Sequence, residues 1–347
     1  MTNNPYNIRI ADEDDATEWD KIVEVSDQAT IFHRWKWLKI CEKHSDFSLA
    51  PLICYNNIEP IAVYPLFFLK KAGLKMVFSP PPHLGLLYLG PAFLNSESLK
   101  QNRKESYYTG TQKAVDNYIK TEIKANYINF SLSPHCSDPR AFKWQGYEIE
   151  PNYDYIFDLK SGMDKLWKNM KKNTRMEINK TKKMGLTIEI GGQEDIDTLH
   201  RLVTERYGEQ NRNANIPKEF LIDIYSNFRE NTRILVAKYN GEVLTANIKL
   251  KFKNEELSWI GSPKPKNFTP SPNMLITWEE MQDAYDNGMD YYVQMGIAGN
   301  KRLHTFFSKF NPDLRIRFNA KKTTPATGLL ESGYKKILKP AFEKYRS

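Results

Sequence analysis

The chain has 347 residues, of which 40% are hydrophobic and 13% aromatic, so it is long enough for two domains that each bury a core. Its 50 basic and 42 acidic residues give a net charge of +8, and its longest apolar run falls well short of the roughly 20 residues of a membrane span. The first residues lack a basic stretch followed by an apolar one, and three cysteines are too few for a disulfide framework, so we expect a cytoplasmic protein.

The first half of the chain predicts a mixed α and β unit. Asn56-Asn57 lies between two apolar segments and indicates a hairpin, because asparagine tolerates the left-handed conformation of a tight turn. The predicted elements are helices over 15–25 and 33–43, strands over 49–55 and 59–69, a helix over 105–124 and a strand over 127–131.

The second half begins near Asn152 and predicts a similar order of elements. Asn240-Gly241 is the strongest short hairpin signal in the chain. The predicted elements are a strand over 155–159, helices over 163–184, 195–210 and 218–228, strands over 233–239, 242–250 and 255–261, a helix over 272–287, a strand over 291–295, a helix over 301–310 and a strand over 313–318.

The predicted helix over 163–184 lies in the most basic part of the sequence. Between Lys160 and Lys183 there are nine basic and two acidic residues, a net charge of +7. Such a face attracts phosphates or an acidic surface, although a charge run of this kind is also typical of a solvated helix face.

This order of elements predicts an α+β fold with mixed sheets and helices on both faces. The two halves predict two domains of one architecture, residues 1–151 and residues 152–347. An amphipathic helix is predicted over 329–345, where apolar residues form one stripe between lysines. We expect it to dock on the protein's own core, and the alternative is peripheral contact with a membrane surface.

Several common chemistries lack their motifs in this sequence. It has no phosphate-binding loop, no dinucleotide fingerprint, no serine-hydrolase elbow and no zinc-protease motif. The six histidines do not pair at the spacing of metal ligands, so we predict no metal site.

Sequence stretches spread along the whole chain carry a resemblance to one group of enzymes. They are Ile31-Phe32-His33 with Trp37-Leu38, Pro60 to Leu66, Gly90-Pro91, Tyr155 to Leu159, Arg175 to Gly185, Tyr207 to Pro217, Ser271 to Leu275 with Gly296, and Phe306 to Pro312. In these stretches the chain resembles the FemAB-type peptidoglycan-bridge aminoacyltransferases and the two-domain acyltransferases with paired acetyltransferase-like (GNAT-like) folds. The resemblance implies two tandem GNAT-like domains, each a mixed, mostly antiparallel sheet flanked by helices.

The resemblance also implies an activity. The protein would be an N-acyltransferase or aminoacyltransferase that forms an amide on an amine of an anionic acceptor, either a small molecule or a lipid-linked one. A cell-envelope precursor, a nucleotide sugar, a saccharide or a peptide would fit. The donor would be acyl-CoA or aminoacyl-tRNA, with no tightly bound cofactor, and tRNA would then be a partner that docks on the basic helix.

Five residues take candidate roles from the resemblance. Arg175 and Arg212 would bind anionic groups of donor or acceptor, since the guanidinium fork suits phosphate; the alternative for each is a salt bridge. Lys309 would be catalytic through contact with a phosphate or oxyanion, unless it is only solvated. Tyr207 and Asn211 would line the acceptor cleft, although a helical tyrosine also serves as packing.

Two positions depart from the pattern of the family. Gln294 stands where relatives often have an aspartate, and Phe307 stands where they often have a lysine, which leaves Lys309 as the nearest amine. These departures favour the alternative of a degenerate, non-catalytic pair of domains that binds RNA or another anionic polymer.

Overall fold

The computed structural model describes residues 5–71, 73–209, 216–263, 265, 268–296, 301–325 and 327. The described residues form two compact units. The first comprises the described parts of Met1–Pro82, Tyr88–Pro151 and Arg317–Ser347, and the second comprises His83–Leu87 and Asn152–Ile316. The chain therefore enters the second unit at Asn152, where the second domain was predicted to begin, and returns to the first at Arg317. The division into two domains with the predicted boundaries stays a prediction.

The first unit is built on a six-stranded sheet in the order β1-β2-β3-β4-β6-β13, with the short β5 beside β3. Its neighbours are antiparallel except for β4 and β6, which are parallel. The elements are β1 (Tyr6–Ile10), α1 (Ala16–Val25), α2 (Trp35–Lys43), β2 (Ser48–Asn56), β3 (Glu59–Lys71), β4 (Leu74–Ser79), β5 (Ala92–Phe93), α3 (Gln101–Tyr118), β6 (Tyr127–Ser131), α4 (Arg140–Trp144) and, from Arg317, β13 (Asp313–Thr323).

The second unit has a sheet in the order β7-β12-β11-β10-β9-β8. Here too one pair is parallel, β11 with β12, and the other neighbours are antiparallel. The elements are, from Asn152, β7 (Glu148–Asp158), α5 (Met163–Asn169), α6 (Lys172–Lys183), β8 (Thr187–Ile190), α7 (Glu194–Glu209), α8 (Lys218–Asn227), β9 (Thr232–Tyr239), β10 (Glu242–Phe252), β11 (Glu255–Gly261), α9 (Pro272–Asp286), β12 (Tyr291–Gln294) and α10 (Lys301–Phe307).

The two sheets follow one plan. Each has four antiparallel strands, a crossover helix and a fifth strand parallel to the fourth, with α3 as the crossover in the first unit and α9 in the second. A parallel pair requires such a crossover, whereas the Asn240-Gly241 turn can join antiparallel strands directly. The predicted α+β class with two units of one architecture is confirmed.

Each unit buries its own apolar cluster between sheet and helices. In the first unit Tyr64 and Phe130 lie in this cluster, and in the second Phe157, Ile178 and Trp278 do. The helices are therefore held mainly by an apolar face against a sheet, as expected for mixed α and β layers.

The single basic helix predicted over 163–184 is wrong, because two helices occupy this stretch. Helix α5 ends before Met170 and α6 begins after Lys171, and both of these residues have extended backbones with ψ of 151° and 138°. Met170 is buried in the apolar cluster, and the Lys171 N–H donates to the carbonyl of Lys309 at 3.1 Å instead of continuing the helix. The predicted helix over 329–345 lies outside the described residues.

Among the helices that the structure describes, none combines the length and the apolar composition needed to cross a membrane.

One glycine in the first unit is required by a close approach of two elements. Gly110 lies inside α3, and a Cβ atom placed there would come within 2.2 Å of ring carbons of Tyr6. The Tyr6 hydroxyl is 2.7 Å from Ser106 Oγ on the same helix, which holds the ring in this position. Strand β1 is thereby fixed against α3.

We predict that Gly110→Ala lowers the free energy of unfolding of the first unit by about 1–3 kcal/mol, because overpacking outweighs the better helix propensity of alanine. The matched control is Gly208→Ala in α7, where an added Cβ meets nothing within 4 Å. That variant should gain up to about 1 kcal/mol. Urea denaturation followed by circular dichroism measures both, and a stabilised Gly110→Ala protein would contradict the packing described here.

Candidate functional site

The sheet of the second unit opens at the carboxyl end of its parallel pair. Strands β11 and β12 pair from Glu255 with Tyr291 to Ser258 with Gln294, where β12 ends. Strand β11 continues to Gly261, paired only with β10 among the described residues. The carboxyl ends of parallel strands are where α/β folds place ligands, so this opening is the first candidate site.

A chain of buried hydrogen bonds lies directly beneath the opening. Asn247 Nδ2 of β10 donates to Glu280 Oε1 of α9 at 2.7 Å, and the Tyr292 hydroxyl of β12 donates to Glu280 Oε2. Gln294 Nε2 in turn donates to the Tyr292 hydroxyl oxygen at 2.8 Å. Burial raises the pKa of the Glu280 carboxyl and raises that of Tyr292 well above its usual value, so the phenol keeps its proton and donates.

A second buried cluster continues the same layer toward the other end of α9. Lys249 is fully buried, and its Nζ lies 2.5 Å from Glu256 Oε1 and 2.8 Å from Asp283 Oδ2. Arg233 Nη2 also contacts Asp283, at 2.7 Å from Oδ1. Burial raises the pKa of Glu256, and the ammonium of Lys249 acts in the opposite direction. These ion pairs tie α9 to strands β9, β10 and β11.

The rim of the opening is formed where β11 leads into α9. The Ser262 N–H donates to Asn247 Oδ1 at 3.3 Å, and Asn273 Nδ2 donates to the Ser262 carbonyl at 3.1 Å. Two buried acceptors here, Ser271 Oγ and Asn273 Oδ1, have no hydrogen-bond partner among the described residues. Buried polar atoms are normally paired, so these two mark a place where a bound group would complete the structure.

A separate cleft of about 620 Å³ lies between the first turn of α6 and the stretch from α10 through the 3-10 turn that follows it. Lys171, Lys172, His304 and Lys309 line it, and we call it the lysine cleft. Lys309 is half-buried. Because the helix is interrupted at Lys171, the backbone N–H of Lys171 can donate to the carbonyl of Lys309, which brings these two residues together.

The structure separates the predicted site residues. Lys309 lies in the lysine cleft, whereas Arg175 is half-buried on α6, does not line that cleft and makes no ion pair with a described residue. Tyr207 lies in α7, with its side chain outside the described part of the chain, as are Asn211 and Arg212 altogether. The roles of these five residues stay predictions.

Neither the polar side chains of the buried layer nor His304 in the lysine cleft was predicted from the sequence. Glu280 lies among the buried positions of α9, and Lys249 lies in a buried stretch of β10. A charged residue inside an apolar pattern was the available signal, because such a residue is rarely buried without a partner. Which partner it has could not be known before the strands and helix were assembled.

Comparison with known proteins identifies this architecture. Residues 168–302, which lie within the second unit, match the family model described as an acetyltransferase (GNAT) domain. The chain has the tandem GNAT fold. The match confirms the predicted acyltransferase class, and the search of curated proteins finds no relative of the chain.

Solved structures share this fold over almost the whole chain. The crystal structure of FemX superposes with a TM-score of 0.69 at 12% identity and covers 95% of this chain and 99% of its own. L-PGS from Bacillus licheniformis gives 0.56 at 12% identity, covering 93% of this chain and 96% of its own. A tandem GNAT protein from the clavulanic acid biosynthesis pathway gives 0.55 at 8% identity, with 92% and 98% covered. The resemblance predicted from the sequence is thus confirmed at the level of the fold.

We predict that Lys249→Met lowers the free energy of unfolding by about 3–5 kcal/mol, because Glu256 then remains buried without its partner. The matched control is Lys251→Met, on the same strand but exposed, which should change stability by less than about 0.5 kcal/mol. Urea denaturation at neutral pH measures both variants.

The loss in free energy of unfolding caused by Lys249→Met should depend on pH. Burial raises the pKa of Glu256 above its ordinary value of 4.5, and the loss of Lys249 removes a charge that lowers it. In the variant the folded protein therefore takes up a proton on Glu256 more readily than the unfolded chain does, which removes the buried charge. The loss of stability should shrink as the pH falls toward 4.5. A deficit that stays constant or grows on acidification would contradict the proposed ion pair.

Proposed function

We propose that the protein transfers an acyl or aminoacyl group to an amine of an anionic acceptor and thereby forms an amide. One observation carries the proposal: the opened end of the β11–β12 pair lies within the stretch that matches the acetyltransferase model, next to buried, hydrogen-bonded side chains of β10, β12 and α9. The activity would be located at this opening.

Amide formation needs few dedicated groups. The neutral amine attacks the carbonyl carbon of an ester or thioester, and negative charge develops on the carbonyl oxygen. When this adduct collapses, the C–O or C–S bond breaks, and the leaving oxygen or sulfur takes up the proton that the amine nitrogen gives up, so that an alcohol or thiol is released. Holding the reactants in position can supply roughly 7–11 kcal/mol of the barrier, so no strong base is required at the site. The side-chain oxygens of the rim residues Ser271 and Asn273 are buried and have no hydrogen-bond partner among the described residues, so these residues are placed to orient such a substrate.

For the donor we propose aminoacyl-tRNA ahead of acyl-CoA. The FemAB-type resemblance and the structural likeness to FemX favour it, and so does the charge of α5 and α6. Lys180 and Lys183 on α6 are exposed and make no ion pair with a described residue, which leaves them available to nucleic-acid phosphates. An acyl-CoA donor would make less use of this surface.

The alternative of a non-catalytic pair of domains rests on Phe307 and Gln294. Gln294 is buried and hydrogen-bonded to Tyr292, so in this chain it has a structural partner that does not depend on catalysis. A protein of this kind would bind RNA through the same basic surface and form no product.

A transfer assay tests the proposed chemistry. The purified full chain is supplied with aminoacyl-tRNA or acetyl-CoA and with a mixture of nucleotide-sugar and lipid-linked amines, and mass spectrometry detects the amide product.

We expect product with one donor, and we expect Asn273→Ala to lower kcat/KM about tenfold because a substrate contact is lost. The control is Asn287→Ala at the other end of α9, where Nδ2 donates to Asp283 and to no other described residue, and its activity should be unchanged. Binding of RNA without any amide product would favour the non-catalytic alternative.

A second prediction concerns the donor. If tRNA docks on α6, the double variant Lys180→Ala, Lys183→Ala should weaken its binding and reduce the slope of log K against log salt concentration by roughly 2. The exposed lysines of α1 and α2 provide the control, Lys21→Ala with Lys36→Ala, which should leave the slope unchanged. Equal effects of both pairs would show attraction by net charge alone.

A further inference from the structure

The lysine cleft gathers positive charge with little to balance it. Lys171, Lys172 and Lys309 contribute three amines, and Glu177 is the one acidic residue among the described residues that line the cleft. Glu177 Oε1 already accepts a hydrogen bond from the backbone N–H of Ser271 at 3.3 Å. The cleft therefore has the charge of an anion site.

His304 adds a hydrogen-bond donor to the cleft, and a contact with Tyr155 fixes the orientation of its ring. The hydroxyl of Tyr155 lies 2.5 Å from His304 Nδ1, and the two ring centroids are 5.9 Å apart. Tyr155 is buried on β7, and burial raises the pKa of its phenol, so the hydroxyl keeps its proton and donates to Nδ1. A ring that accepts at Nδ1 carries a proton on Nε2, since the partner of one ring nitrogen sets the state of the other.

The positive charges at the amino end of α6 destabilise this helix when no anion is bound beside it. Its first turn contains no acidic residue and is preceded by Lys171, with Lys172 as its first residue. Positive charges at the amino end of a helix oppose the helix dipole. An anion bound in the cleft would offset this unfavourable interaction with the helix dipole.

We propose that the lysine cleft binds a multiply charged phosphate group, with Lys171, Lys172 and Lys309 as its cationic contacts and His304 as an N–H donor positioned by Tyr155. The hydroxyls of Thr305 and Ser308, which line the same cleft, complete the set. This proposal rests on the proposed function in one respect only, the choice of molecules that could carry the phosphate group. A diphosphate occurs both in coenzyme A and in nucleotide-linked acceptors, and the two share the chemistry that this cleft recognises.

The first unit supplies a matched control surface. A cleft of about 560 Å³ there is lined by Lys113, Lys120, Lys124 and Lys322, and no histidine lines it among the described residues. Its acidic residue, Asp116, is paired with Lys322 at 3.1 Å. The control cleft thus has four lysines and one acidic residue, against three lysines and one acidic residue in the lysine cleft, at a similar size. It lacks the Tyr155–His304 pair, which distinguishes the lysine cleft.

Calorimetric titration of the full chain with inorganic pyrophosphate at constant ionic strength tests the site. We expect saturable binding that Lys172→Ala or Lys309→Ala weakens about tenfold, as for the loss of one charge-assisted hydrogen bond. The double variant Lys120→Ala, Lys124→Ala should weaken it less than about twofold. Absence of saturable binding, or equal losses in both clefts, would overturn the proposal.

Two further variants test the role of the histidine. His304→Ala should weaken binding, and His304→Gln, which keeps an N–H donor, should restore part of it. Tyr155→Phe should move the ring proton of His304 between the two nitrogens, and nitrogen NMR of the ring detects this directly. An unchanged affinity in His304→Ala, or an unchanged tautomer in Tyr155→Phe, would contradict the positioning role.

Competition identifies the source of the phosphate. Displacement of pyrophosphate by coenzyme A assigns the cleft to the donor, and displacement by UDP assigns it to a nucleotide-linked acceptor. Displacement by a short RNA with an affinity that does not change in His304→Ala would make the cleft part of a nucleic-acid surface and overturn the proposal. Pyrophosphate binding without any transfer activity would refute the proposed function alone, whereas transfer without pyrophosphate binding would refute this site alone.

Discussion

The short register of the parallel pair β11–β12 determines the shape of the second unit. The two strands pair over only four positions, from Glu255 with Tyr291 to Ser258 with Gln294, while β11 stays paired with β10 as far as Gly261. Beyond Ser258 and Gln294 the two strands no longer pair, so the sheet opens between them at their carboxyl ends. The crossover helix α9 begins beside that opening, and its amino end supplies the rim.

Buried polar groups connect this part of the sheet to α9. The carboxylate of Glu280 receives hydrogen bonds from Asn247 and Tyr292, which belong to two different strands, and Lys249 joins the strands to Asp283. Buried charges gain little stability compared with apolar packing, but they tolerate only one arrangement of partners. The helix is thereby held in one register against the sheet, which fixes where Ser271 and Asn273 stand.

Local patterns predicted most of the elements, and long-range contacts account for most of what was missed. The hairpin at Asn240-Gly241 and the helix that begins at Pro272 depend on neighbouring residues, so their signals are visible in the sequence. The break between α5 and α6 depends on the carbonyl of Lys309, far along the chain, and the basic pattern continues straight through it. The pairing of Tyr155 with His304 spans 149 residues, so neither residue alone indicated a site.

The placement of β13 has a consequence for synthesis on the ribosome. Its residues from Asn319 to Thr323 pair with β6, and Ser131 meets Asn319 across 188 residues of intervening chain. Domains usually fold as they emerge, the amino-terminal one first, at about 5–20 residues per second. The first unit cannot do so completely, because its sheet lacks the sixth strand until the entire second unit has been translated. During that interval of roughly ten seconds or more, the outer edge of β6 is an unpaired strand, and chaperone contact there would protect it.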